Sequence, residues 1–266
     1  MDARRGKRIQ RGLWTAAAGL VLAGSLCAQG TLLRYRFQPP ETLFYRIDRQ
    51  DSIALQGQTG IVFRFAVIRV KVDENRPDGS GIVTVTTDSA WSNGPSAPLL
   101  APMDRYFESE FSGEKYRISG TGNPMQKNAD LPPFFIPFPE KPVSEGSDWD
   151  FQIKSQYTRP YSGNKIAKGH CLFYGIVNEN NIPLAVLTVR IETELSKKWS
   201  LVEPFRTISH ALEEKRSSEG AAYLDVDTGR TIRMVYTTRS RSSLNVGGTV
   251  SSRTVSSRLT IHLLEK

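Results

Sequence analysis

His170 and Cys171 stand side by side in KGHCLFYG, and imidazole and thiol are the groups that most often activate one another. Neighbours in a strand point to opposite faces, so this imidazole does not reach the thiol beside it. A single buried or half-buried cysteine in a strand is the expectation. His210 and His262 lie far apart, without an H-x-x-x-H or C-x-x-C frame, and a zinc site needs three or four ligands. No metal is expected. Asp225 and Asp227 lie two apart before Gly229, which is half of a calcium set, but TGRTIR supplies no further oxygen ligands at that spacing. They read as a turn in which Asp227 bonds its own backbone. Glu108, Glu110 and Glu114 sit in FESEFSGEKYRI. A glycosidase would need two carboxylates at a set separation in a cleft, and here a solvated hairpin is the simpler reading. No G-x-S-x-G elbow, P-loop or dinucleotide glycine pattern follows a strand; GTGN at 120–123 and NVGG at 245–248 are turn glycines. The sequence offers no catalytic residue and calls for no cofactor.

The residues suited to binding form three groups. LPPFFIPFPEKPVSEGSDW, residues 131–149, holds five prolines and four aromatics. Proline lacks the donor that a strand ladder needs, so the segment reads as a stiff connection whose Phe134, Phe135 and Phe138 pack against a seam or anchor a ligand. IVFRFAVIRVKV, residues 61–72, places Phe63, Phe65 and Val67 in one phase and Ile68, Val70 and Val72 in the other. A strand that changes phase midway needs a bulge or passes between sheets. The polar stretch 237–258 carries Arg239, Arg241, Arg253 and Arg258, a ribbon suited to an anionic partner or simply to solvent.

Strands must position all of these. Period two dominates: Leu187, Val189 and Ile191 alternate with Thr188, Arg190 and Glu192, and Leu259, Ile261 and Leu263 close the chain in the same way. No segment after residue 30 gives a helical stripe. The expected fold is all-β: two similar antiparallel, twisted halves packed as a sandwich or open half-barrel. ETLFYRI at 41–47 matches SDWDFQI at 147–153, GIVTVTTDS at 81–89 matches AVLTVRIET at 185–193, and residues 107–118 match 223–234. The expected organisation is therefore a leader over 1–30, a first β half over 31–130, a connection over 131–146 and a second β half over 147–266.

The leader sets the compartment. Five basic residues precede the apolar run LWTAAAGLVLAGSLC, and small residues follow, the pattern of a secretory signal peptide. About fifteen apolar residues are short for an anchor, which needs roughly 20. Cleavage falls after Ala28 or Gly30. Leu26 stands where an acylated Cys27 would need a small residue, so lipidation is not expected. Residues 1–30 carry five basic residues and Asp2, so removing them lowers the formal charge from +8 to +4. That weakens any case for nucleic acid, which wants a clustered basic footprint. Cys171 then stands alone, so no internal disulfide forms in a chain long enough to be stable without one.

LRYRFQPPETLFYRI, PFPEKPVSEGSDW and EGAAYLDVDTGR resemble a group of exported bacterial β proteins that share L-x-Y-x-F-x-P-G-E-x-L-x-Y, P-V-x-x-G-x-x-W and G-x-x-x-F-D-x-x-x-G-R motifs. Pro40 replaces the usual glycine of the first, and Tyr223-Leu224 departs from the third. The resemblance implies a two-part β fold outside the cytoplasm, in a domain without an assigned activity, and carries over no catalytic residue. The expectation is an exported, non-enzymatic envelope protein, periplasmic, outer-envelope associated or extracellular. It binds an apolar or lipid-like small molecule or an envelope protein, and its mature chain has no transmembrane segment. A carboxylate-dependent hydrolase of envelope glycans or lipids and a purely structural module are the alternatives. A cleft with convergent carboxylates, or one beside His210, would favour the enzyme; a cleft lined by Phe, Val and Leu would favour binding.

Overall fold

The computed structural model describes residues 30–55, 58–93, 112–125, 131–157, 162–203 and 206–264. Residues 1–29 of the leader, with Cys27 and Ala28, and also Glu108 and Glu110 lie outside them. The described residues are all-β. Ten strands run β1 (Thr42–Leu55), β2 (Gln58–Asn75), β3 (Gly81–Asn93), β4 (Ser112–Ile118), β5 (Asp148–Tyr157), β6 (Ser162–Glu179), β7 (Ile182–Glu203), β8 (Arg206–Asp225), β9 (Thr231–Val246) and β10 (Thr249–Leu264). They form one antiparallel sheet in the order β4-β3-β2-β1-β10-β9-β8-β7-β6-β5. The sheet is curled into a half-barrel, as expected, rather than split into a sandwich. Two meanders, β1–β4 and β5–β10, are joined where β1 pairs with β10 from Phe44↔Leu264 to Leu55↔Arg253.

Tight turns follow from residues that accept a left-handed backbone. Asn180 and Asn181 (φ 52° and 65°) reverse β6 into β7, and Gly247 and Gly248 (φ 57° and 95°) reverse β9 into β10. At the β8–β9 turn it is Asp225, not Asp227, that organises the bend. Its carboxylate accepts from Asp227 N (2.8 Å), Thr228 N (3.2 Å) and Thr228 Oγ1 (2.5 Å). Only β1–β4 and β5–β10 together bury the core. The lower end of the sheet, with the β2–β3, β6–β7 and β8–β9 turns, is filled by two non-strand segments. Leu33, Tyr35 and Phe37 come from the chain before β1, and Phe134, Phe135, Ile136 and Phe138 from the proline-rich connection. These side chains pack against Tyr45, Ile47, Ile68, Leu187, Met234 and Ile261 on the inner face.

The connection is thus the plug of the half-barrel, not an exposed linker. A buried irregular segment must satisfy its backbone groups elsewhere. Ile136 N donates to Tyr35 Oη (2.7 Å), Phe138 N to Thr121 O (2.7 Å) and Phe135 N to Pro132 O (3.0 Å). Thr231 Oγ1 donates to Phe134 O (2.7 Å), Trp149 Nε1 to Pro137 O (2.8 Å) and Arg34 Nη1 to Pro139 O (2.7 Å). Each proline removes one donor that would otherwise need a partner, which accounts for their density here.

Candidate functional site

Above the plug the inner face turns polar. In β1 the buried phase Tyr45, Ile47 and Ile53 also contains Arg49 and Asp51, and in β2 Arg64 shares the phase of Val62 and Ala66. In β8 Glu214, Arg216 and Ser218 lie between Leu212 and Ala222. Antiparallel register brings these positions together across the curl: Arg49 faces Leu259, Ser257 faces Thr238, and Ser240 faces Arg216. On the other side of the curl, β5 and β6 bring Phe151 opposite Gly169 and Ile153 opposite Ala167. The Phe151 ring lies directly over Gly169, where a Cβ would come within 2.0 Å of it.

The result is a cavity of about 190 Å³ with two unlike walls. Its floor is the plug, through Leu131, Pro132, Pro133, Phe135, Ile136 and Pro137. Phe151, Ile153, Ala167 and Ile191 form an apolar wall, and Ser218, Thr238, Ser240 and Ser257 a hydroxyl wall. Among the described residues, Arg49, Lys165 and Arg216 are the charged groups of the lining. Behind that lining, Asp51 takes Arg49 Nε at 2.6 Å and lies 3.6 Å from Arg64 Nε, while only 1% of it is exposed. Arg49 Nη2 also donates to Ser257 Oγ (3.2 Å). Glu214 Oε1 accepts from Arg216 Nε (2.9 Å) and Nη2 (2.7 Å). Each guanidinium is therefore held in one orientation by a carboxylate set back from the cavity. The groove of about 530 Å³ beside Glu194, Lys215 and Arg241 is larger but more open.

The structure distributes the residues expected to bind. Phe134 and Phe138 are core, and Phe135 is both core and cavity floor. Phe63, Phe65 and Val67 lie on the outer face, Phe63 being half exposed, and do not meet the phenylalanines of the plug. The predicted change of phase in β2 does not occur: Val62, Ala66, Ile68, Val70 and Val72 are all buried on one face. It occurs instead in β3, where Asp88 is a bulge between Val67↔Ser89 and Ile68↔Thr87. That bulge turns Trp91 outward, onto Phe65 at 5.7 Å between ring centroids. Arg239, Arg241 and Arg258 are exposed on the outer face, whereas Arg253 points inward and donates to Ser242 Oγ (3.1 Å).

The reactive groups stay apart. Cys171 is fully buried on the inner face, and burial pushes its thiol up to about 12. His170 is on the opposite face, 2.8 Å from Asp150 Oδ1. His210 stacks on Trp199, with ring centroids 5.0 Å apart, and His262 sits in β10. Glu114 is exposed and accepts from Tyr116 Oη (2.8 Å). Burial raises the hydroxyl pKa of Tyr35, Tyr45 and Tyr236 well above the usual value, so these phenols stay neutral. Among the described residues no group of three histidine, cysteine or carboxylate side chains is placed to hold a metal, and no helix is long and apolar enough to cross a membrane.

No protein-family model and no curated protein matches the chain. Among solved structures, Pseudomonas aeruginosa OpdK with vanillate is 6% identical, covering 84% of this chain and 98% of its own, with a TM-score of 0.22. Pseudomonas putida OprB at high pH is 8% identical, covering 94% and 97%, with a TM-score of 0.20. Likeness at such scores carries nothing over to this chain.

Proposed function

We propose that this chain is an exported, non-enzymatic binding protein of the cell envelope, and that it holds a small lipid-like molecule in the cavity above the plug. The carrying observation is the cavity itself: a concave, preformed space with an apolar floor, an apolar wall and a few fixed polar groups, which is how ligand sites are generally built. Phe135, Phe151, Ile153 and Ile191 are the aromatic and aliphatic lining that favours binding over hydrolysis. Among the described residues neither a carboxylate nor a histidine belongs to that lining. The secretory leader and the resemblance to exported β proteins support the compartment, whether periplasm, outer envelope or outside.

The test is native mass spectrometry of residues 31–266 purified from an exporting host, followed by solvent extraction. A reproducible bound mass, lost when Ala167→Trp fills the cavity of an otherwise folded protein, is the expected result. A clean apo mass in the parent protein, with no uptake of added amphiphiles, would overturn the proposal and leave a structural or protein-binding role.

A further inference from the structure

The two ends of the sheet are finished differently. β4 has seven residues, and its pairing with β3 slips at Val85/Thr86. A short, irregular edge offers an incoming strand little to pair with. β5 is the reverse: DWDFQIKSQY runs ten residues with no proline and no slip in its register with β6. Phe173 N donates to Ser147 O (2.9 Å), which fixes the phase of that ladder. Bonding alternates along an antiparallel pair, so Trp149, Phe151 and Ile153 bond to β6. Asp148, Asp150, Gln152, Lys154 and Gln156 turn their N–H and C=O groups away from the sheet. Among the described residues no other strand takes up those groups. On the inner face Trp149, Phe151 and Ile153 are only half-buried, whereas Cys171, Gly169 and Ala167 opposite them on β6 are buried.

This edge is complementary to itself. About a two-fold axis through Gln152, Asp150 of one copy faces Lys154 of the other, and the pair occurs twice by symmetry. Asp148 faces Gln156 in the same way, so all five outward residues find partners and no like charges meet. Axes through Asp150 or Lys154 would set like charges opposite each other, and axes through Phe151 or Ile153 would leave one end of the strand unpaired. Asp150 and Lys154 are exposed, and Asp150 meets His170 through Oδ1 (2.8 Å). On the concave side Phe151 would meet Ile153 of the second copy, which covers the half-buried row. We infer that two copies of this chain join along β5, antiparallel about Gln152, into one continuous curled sheet. The interface does not depend on the binding role proposed above.

Sedimentation equilibrium of the exported protein over a wide range of concentration tests it. A monomer–dimer equilibrium is expected. Lys154→Asp should weaken the dimer about tenfold, and adding Asp150→Lys to it should restore the affinity. Both side chains are exposed, so the fold tolerates either change. Gln152→Cys should give a disulfide-linked dimer on mild oxidation, because the axis sets that position against its own copy; Cys171 is buried and stays out of reach. A protein that stays monomeric throughout, or a dimer unmoved by Lys154→Asp, would overturn the inference. So would a charge exchange that fails to restore the dimer, a Gln152→Cys variant that does not cross-link, or assembly that continues past two copies, since a two-fold contact closes on itself.

Discussion

The lower and upper parts of the half-barrel are made from the same strands and differ in what fills their concave side. Below, Phe134 lies flat on Tyr45 (4.8 Å between centroids), Tyr35 stacks on Phe138 (4.9 Å), and a single core joins all but β5 of the ten strands through fully buried residues. Above, the one separate apolar cluster among the described residues is Ile53, Val62 and Val255, beside ion pairs and hydroxyl groups. The upper strands are long; β7 alone has 22 residues, about 70 Å at the usual rise. The contrast teaches that the plug supplies stability at one end, so the other end is free to keep charges and unfilled volume that a core could not accept.

Phe134→Ala removes the centre of the plug and should cost about 3–5 kcal/mol, read as a fall in the urea midpoint. A loss below 1 kcal/mol would mean that the plug is not the stable end. Alkali should act there next. Tyr35, Tyr45 and Tyr236 are neutral in the fold, with pKa values raised above the unfolded value of about 10, so their contribution is full below pH 10 and is lost as pH rises. At pH 11 each should cost about 1.4 kcal/mol, with Cys171 adding to the loss above about pH 8.5 in the same sense. Tyrosinate absorbance should then appear together with unfolding; early titration of three phenols in folded protein would contradict the burial. A matched pair compares the two ends directly. Ile261→Val, in the plugged core, should cost about 1.5 kcal/mol and Ile53→Val, above, about 0.5 kcal/mol, and a reversed order would move the stable end upward. Val202→Ala, at an 83% exposed hairpin tip, should change stability by less than about 0.5 kcal/mol.

Alternation made the strand class legible, because Leu187, Val189 and Ile191 announce a face buried on one side. The first two sequence matches fall on β1 and β5 and on β3 and β7, strands that run in the same direction from the lower end, although β1 is interior to the sheet and β5 is its edge. The third does not: Gly113 lies inside β4 and Gly229 in the β8–β9 turn. What alternation conceals is which of two apolar phases faces inward. Phe63 and Phe65 lost to the even positions because the bulge at Asp88 belongs to the neighbouring strand, outside any reading of β2 alone. The cavity was harder still, since its walls come from strands far apart in sequence and its floor from a segment without period. One signal was available. Arg49, Asp51, Arg64 and Arg216 sit in phase with buried aliphatic residues, and charge on the core phase of a strand marks a place where the interior is not meant to be dry.

The β1–β10 ladder also governs the order of assembly. Phe44 pairs with Leu264, so the first strand made has its neighbour on one side only when the last has emerged. Contacts this distant in sequence slow folding, because closing the loop comes before any reward for doing so. Until then the chain is two meanders with β1 and β9 as bare edges, the condition in which strands recruit strangers. A chain cut short before residue 249 should thus be prone to aggregate rather than merely weak, and the vulnerable interval in the life of this protein is the time between exposing β1 and delivering β10.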